Sequence, residues 1–99
     1  MNANVSIQVL PKGDIKEVIR IVDTIIAYIQ STGLKYFVGP TETSIEGDLD
    51  ELMEIVKRCQ YLCVEAGSPS AMSYVKINYQ PSGDVLTIDE KTAKYHQER

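Results

Sequence analysis

Residues 4–10, NVSIQVL, alternate in character. Val5, Ile7 and Val9 share one side and Asn4, Ser6 and Gln8 the other, the period of a strand with one buried face. Pro11 and Gly13 close that strand. Residues 14–32 change period. Ile15, Val18, Ile19, Val22, Ile25, Ile26 and Ile29 recur at helical spacing. Asp14 is the expected N-cap, Glu17 sits three residues on in a capping-box position, and Gly33 supplies the stop. β-Branched residues are poor helix formers by propensity, but tertiary packing overrides so small a preference.

Residues 34–38, LKYFV, predict a second strand and residues 43–47, TSIEG, a third. Thr43 and Ile45 take one side of the third strand and Ser44 and Glu46 the other, and the short gap predicts a hairpin. Residues 49–66 predict a second helix with the stripe Leu49, Leu52, Met53, Val56, Cys59 and Cys63. Asp48 is its expected N-cap and Gly67 its end. Ile55, Leu62 and Ala66 either widen the core-facing stripe or offer a contact to a partner subunit. Residues 73–80, SYVKINYQ, alternate as a fourth strand, and Pro81–Gly83 make a turn. Thr87 and Glu90 fit a capping box, so a short helix is expected from there toward Arg99.

Strand, helix, strand, strand, helix, strand is the split βαβ order of the ferredoxin-like α+β fold. Two helices then cover one face of a four-stranded antiparallel sheet, meeting Val5, Ile7, Val9, Ile45, Val75 and Ile77. The other face carries Ser6, Gln8, Ser44, Glu46, Tyr74, Lys76 and Asn78.

Composition narrows the function. The 99 residues suffice for one domain, spanning 1–99, and are too few for two. A chain that is 43% hydrophobic with a net charge of -4 is not disordered. No apolar run is long enough to span a membrane. Acids outnumber bases 14 to 10, which argues against a nucleic-acid partner. The N-terminal residues show no basic segment followed by an apolar one, so a cytoplasmic address is expected, with Cys59 and Cys63 as free thiols.

Candidate chemistry is sparse. His96 is the sole histidine and lies in a polar tail, so it is expected to be a solvated residue rather than part of a Ser-His-Asp or Cys-His arrangement. Cys59 and Cys63 sit one turn apart on a helix; zinc wants four ligands, so the pair reads as core thiols. No phosphate-cradling glycine motif is present. Catalytic residues, a metal site and a cofactor are therefore not expected. The hairpin GPTETSIEGD, residues 39–48, is more unusual: Thr43 and Ser44 bring hydroxyls to the strand, and Glu46 projects from the face the helices leave open. Its plain alternative is an ordinary polar hairpin with a solvated glutamate.

That hairpin resembles the GPxxTxIEGD segment of the small thiamine- and hydroxymethylpyrimidine-binding protein family. VSIQVLP at 5–11, GLKYFVGP at 33–40 and VKINYQ at 75–80 resemble the family's opening strand, its approach to the hairpin and its last strand, in order. Glu42 stands where the family commonly has a small residue, and Gln80 where it often has a basic one. The resemblance implies a ferredoxin-like domain that pairs through its sheet into a homodimer or homotetramer. It also implies binding of thiamine or its pyrimidine moiety without catalysis.

The residue chemistry is compatible with that implication. A carboxylate such as Glu46 accepts from an aminopyrimidine's exocyclic amine or pairs with a protonated ring nitrogen. Gln8, Thr43, Ser44 and Asn78 are the candidates for the remaining hydrogen bonds. An aromatic face for the thiazolium cation would come from Tyr36, Phe37 or Tyr74. Two other classes stay open: a regulatory module of the same fold sensing another small metabolite, and a small oligomeric enzyme using Glu46 as base.

Overall fold

A computed structural model describes residues 1–96. Strand β1 (Ala3–Pro11) leads into helix α1 (Ile15–Ser31), then strands β2 (Tyr36–Val38) and β3 (Thr43–Gly47), helix α2 (Leu49–Glu65) and strand β4 (Ala71–Tyr79). A short helix α3 (Ile88–Thr92) and one 3₁₀ turn (Ala93–Tyr95) follow. The sheet order is β2-β3-β1-β4, with every pair antiparallel. This is the expected α+β ferredoxin-like βαββαβ fold. The part of the expected tail helix that falls on residues 97–99 lies outside the described residues.

The helix boundaries follow from capping. The Asp14 carboxylate accepts the Glu17 amide at 3.0 Å, as expected, while the Glu17 carboxylate pairs with Arg20 at 2.7 Å. Asp48 occupies the α2 N-cap without a side-chain bond. The Asn2 side chain replaces it, accepting the Leu49 amide at 2.9 Å and so tying the start of α2 to the start of β1. Arg20 of α1 donates to the Ala66 carbonyl at the C-terminal end of α2, satisfying an oxygen that the helix leaves unpaired. Thr87 and Glu90 form the expected reciprocal capping box.

Val5, Ile7 and Ile45 from the sheet meet Ile21, Ile25 and Ile29 of α1 and Leu52, Ile55, Cys59 and Cys63 of α2. The broad α1 stripe expected from the sequence is corrected here. Ile21, left out of it, is 1% exposed, whereas Ile15 and Ile19 are 70% and 53% exposed. Ile55 is buried, and Leu62 and Ala66 pack against the core, so the second α2 stripe faces inward. Cys59 and Cys63 are free, buried thiols. Burial pushes the Cys59 thiol up to about 11, because a thiolate there would be stripped of water.

A second correction concerns the open sheet face. The chain after β4 folds back over it rather than leaving it bare. Ile88 of α3 is buried, the Asn4 amide donates to the Leu86 carbonyl at 3.5 Å, and Lys35 pairs with Asp89 at 3.2 Å. Ile77 also departs from expectation. It shares the register of Val5 but is half exposed, because β4 is an edge strand.

Candidate ligand-binding cleft

The site begins with a mismatch in strand length. β1 pairs with β4 along Ala3–Pro11 but with β3 only along Ala3–Ile7. Beyond Ile7 the chain opposite leaves the sheet to make the β2–β3 turn. The Gly39 amide donates to the Glu42 carbonyl at 2.9 Å, closing that turn. A Cβ at Gly39 would stand 2.9 Å from the same oxygen, so the position requires glycine. Pro40 presets the following dihedral.

A cleft of about 290 Å³ opens between the end of β1, the turn and α1. That is close to the lower end of the roughly 300–1,000 Å³ range of small-molecule sites. Val18, Val22 and Ile26 of α1 form one wall, Ile7 and Val9 the floor, and Val38–Thr43 the opposite wall. Val18, Val22 and Ile26, which the buried core leaves out, line the cleft beside the core residues Ile25 and Ile29. Ile15 and Ile19 continue the same stripe into solvent.

Its polar groups are few: Gln8, Thr41, Glu42 and Thr43. Thr43 is 7% exposed, and its hydroxyl makes no hydrogen bond among the described residues. No buried side-chain oxygen is left unpartnered among them, so that hydroxyl keeps access to the cleft. Among the described residues Glu42 is the one charged residue of the lining, with neither Lys nor Arg beside it. Its carboxylate accepts from Lys76 at 3.2 Å. With that charge already paired, the cleft favours a flat, largely apolar guest.

The candidate residues read from the sequence divide between places. Gln8 and Thr43 line the cleft. Phe37 and Ser44 line a smaller hollow of about 130 Å³ on the other sheet face, with Asn4, Ser6, Ile88, Lys91 and Thr92. Ser44 and Ser6 hydroxyls lie 2.8 Å apart, and the Phe37 ring meets His96 with centroids 5.3 Å apart. The Glu46 carboxylate accepts the Ile88 amide at 2.8 Å. Tyr36 packs half-buried against the core, Asn78 is exposed on β4, and so is Tyr74. Val9, Val22, Ile26 and Glu42 of the cleft were not singled out as site residues. The signal for the helix residues was an apolar stripe too wide for one core contact.

A family model described as thiamine-binding protein matches residues 5–96. The chain belongs to the thiamine-binding protein family. A UPF0045 protein of Clostridium perfringens is 48% identical over 92 residues, 93% of this chain and 95% of that one. A domain of unknown function, DUF77, from Bacillus cereus has a solved structure similar to this one with TM-score 0.86. It is 43% identical, covering 97% of this chain and 91% of that. A Thermotoga maritima protein, provisionally assigned to thiamine biosynthesis or salvage, superposes with TM-score 0.82. It is 35% identical over 97% of this chain and all (100%) of that one. Gly39–Thr43, the GPxxT half of the hairpin that marks the family resemblance, forms one wall of the cleft.

Proposed function

We propose that this thiamine-binding family member binds thiamine or its hydroxymethylpyrimidine moiety in the cleft between α1 and the β2–β3 hairpin. It holds the ligand as a carrier or sequestering protein and does not turn it over. The observation that carries this is the cleft itself: apolar walls of ligand size, with the Thr43 hydroxyl among them. A pyrimidine ring suits the Val and Ile walls, and the Thr43 hydroxyl supplies a hydrogen bond. Gln8 of β1 stands beside them in the lining. Phe37, Ser44 and Glu46 serve instead to seat the C-terminal segment.

The protein works as a cytoplasmic homodimer or homotetramer assembled through its sheet. The β4 edge supports this, since no strand among the described residues pairs with its outer side and Met72, Tyr74, Ile77 and Tyr79 are about half exposed or more. No helix among the described residues is long and apolar enough to cross a membrane.

Calorimetric titration with thiamine and with hydroxymethylpyrimidine tests the proposal. Saturable binding of at least one is expected; heat of dilution alone at millimolar ligand overturns it.

A further inference from the structure

The floor of the cleft is made of backbone as well as side chains. Its hydrogen-bonding capacity can be worked out from the strand pairing. The Gln80 amide donates to the Asn2 carbonyl at 2.8 Å, continuing the β1–β4 register by one pair. Along an antiparallel strand, one residue's N–H and C=O point to the same neighbour, and successive residues alternate between neighbours. Even-numbered residues of β1 therefore bond to β4, and odd-numbered residues turn toward β3.

Ala3, Val5 and Ile7 meet Gly47, Ile45 and Thr43 in this way. Val9 is next in the series, and its partner would be Thr41. Thr41 lies in the turn, outside β3. The Val9 N–H and C=O have no backbone or side-chain partner among the described residues, and Val9 lines the cleft. An unpaired donor and acceptor in a largely apolar recess cost free energy unless water or a ligand meets them. Pro11, the following odd position, has no N–H. An added peptide strand would find one donor and then none, so this edge is too short for strand addition. It suits a small flat molecule carrying one acceptor beside one donor.

We infer that the Val9 peptide edge reads the aminopyrimidine of the ligand, its N–H donating to the ring nitrogen next to the amino group and its C=O accepting from that amine. This rests on the cleft being the ligand site. The pyrimidine is then recognised by main chain, and Thr43 acts on the rest of the molecule. Strand length, rather than any single side chain, creates the recognition edge.

The test follows the Val9 amide in ¹⁵N-labelled protein during titration with hydroxymethylpyrimidine, alongside calorimetry of V9P and V9A. Val9→Pro deletes the N–H without touching the β1–β4 ladder, and Val9→Ala keeps it. The expected result is a downfield shift and slowed exchange of the Val9 amide on binding, with affinity at least about tenfold weaker in V9P than in V9A. Should V9P fail to fold, the amide shift and exchange in the parent protein decide alone. Binding that leaves the Val9 amide unmoved and its exchange unchanged overturns the assignment while the cleft proposal stands. Absence of any binding overturns both.

Discussion

The Glu46 carboxylate accepts the Ile88 amide at 2.8 Å across 42 residues of sequence, and so fixes the start of α3 to the outer face of β3. The side chain that looked most like a ligand contact is thus occupied within the fold. Glu46→Ala should lower stability by about 1 kcal/mol and loosen α3, with thiamine affinity unchanged. Glu46→Gln, which retains an acceptor, should be nearly neutral. Thermal melting, hydrogen exchange of residues 87–92 and calorimetry check the three parts.

Thr43 makes the opposite prediction. Its hydroxyl has no partner among the described residues, so Thr43→Val removes nothing the fold uses. Stability should change by less than about 0.5 kcal/mol, while thiamine affinity falls roughly three- to tenfold. Parallel melting and titration of this variant separate a binding role from a structural one.

Gly39 holds the cleft's far wall in place. Gly39→Ala would set a methyl group 2.9 Å from the Glu42 carbonyl carbon's oxygen, so the turn must open. A loss of about 1–2 kcal/mol in stability is expected, together with weakened ligand binding. Urea denaturation with and without thiamine measures both.

Cys59 supplies a pH prediction. Its thiol is held up to about 11 in the folded protein, above its ordinary 9.0, by burial. The unfolded chain therefore releases this proton first as pH rises. The stability it contributes is full below pH 9 and is lost as pH climbs through 11. At pH 8 a thiol reagent should label Cys59 only after denaturant is added. Rapid labelling of the native protein at that pH would contradict its placement in the core.

Much of this architecture was legible in the chain because each element announced itself locally. The alternation of β1 and β3, the Asp14 cap and the Thr87–Glu90 capping box depend on neighbours a few residues apart. Depth of burial does not. On α1 the apolar positions spread over more than one face, and periodicity alone could not tell Ile21, which the core takes, from Ile15, which it leaves in solvent. Ile21→Ala should therefore cost about 2–4 kcal/mol and Ile15→Ala less than about 0.5, by denaturant titration. The candidate site was less legible for a related reason. Period two correctly sent Glu46 to the face opposite the two long helices, but its partner Ile88 comes from a distant segment. The cleft arises from β1 outrunning β3, a relation between strands that no single segment displays.

The most direct measurement is a crystal structure of the protein soaked with thiamine. Density for the pyrimidine between α1 and residues 38–43, beside Thr43 and the end of β1, is the predicted result. Density over Ser44 and Glu46 on the outer sheet face, or no ligand density after a soak at millimolar thiamine, would contradict it.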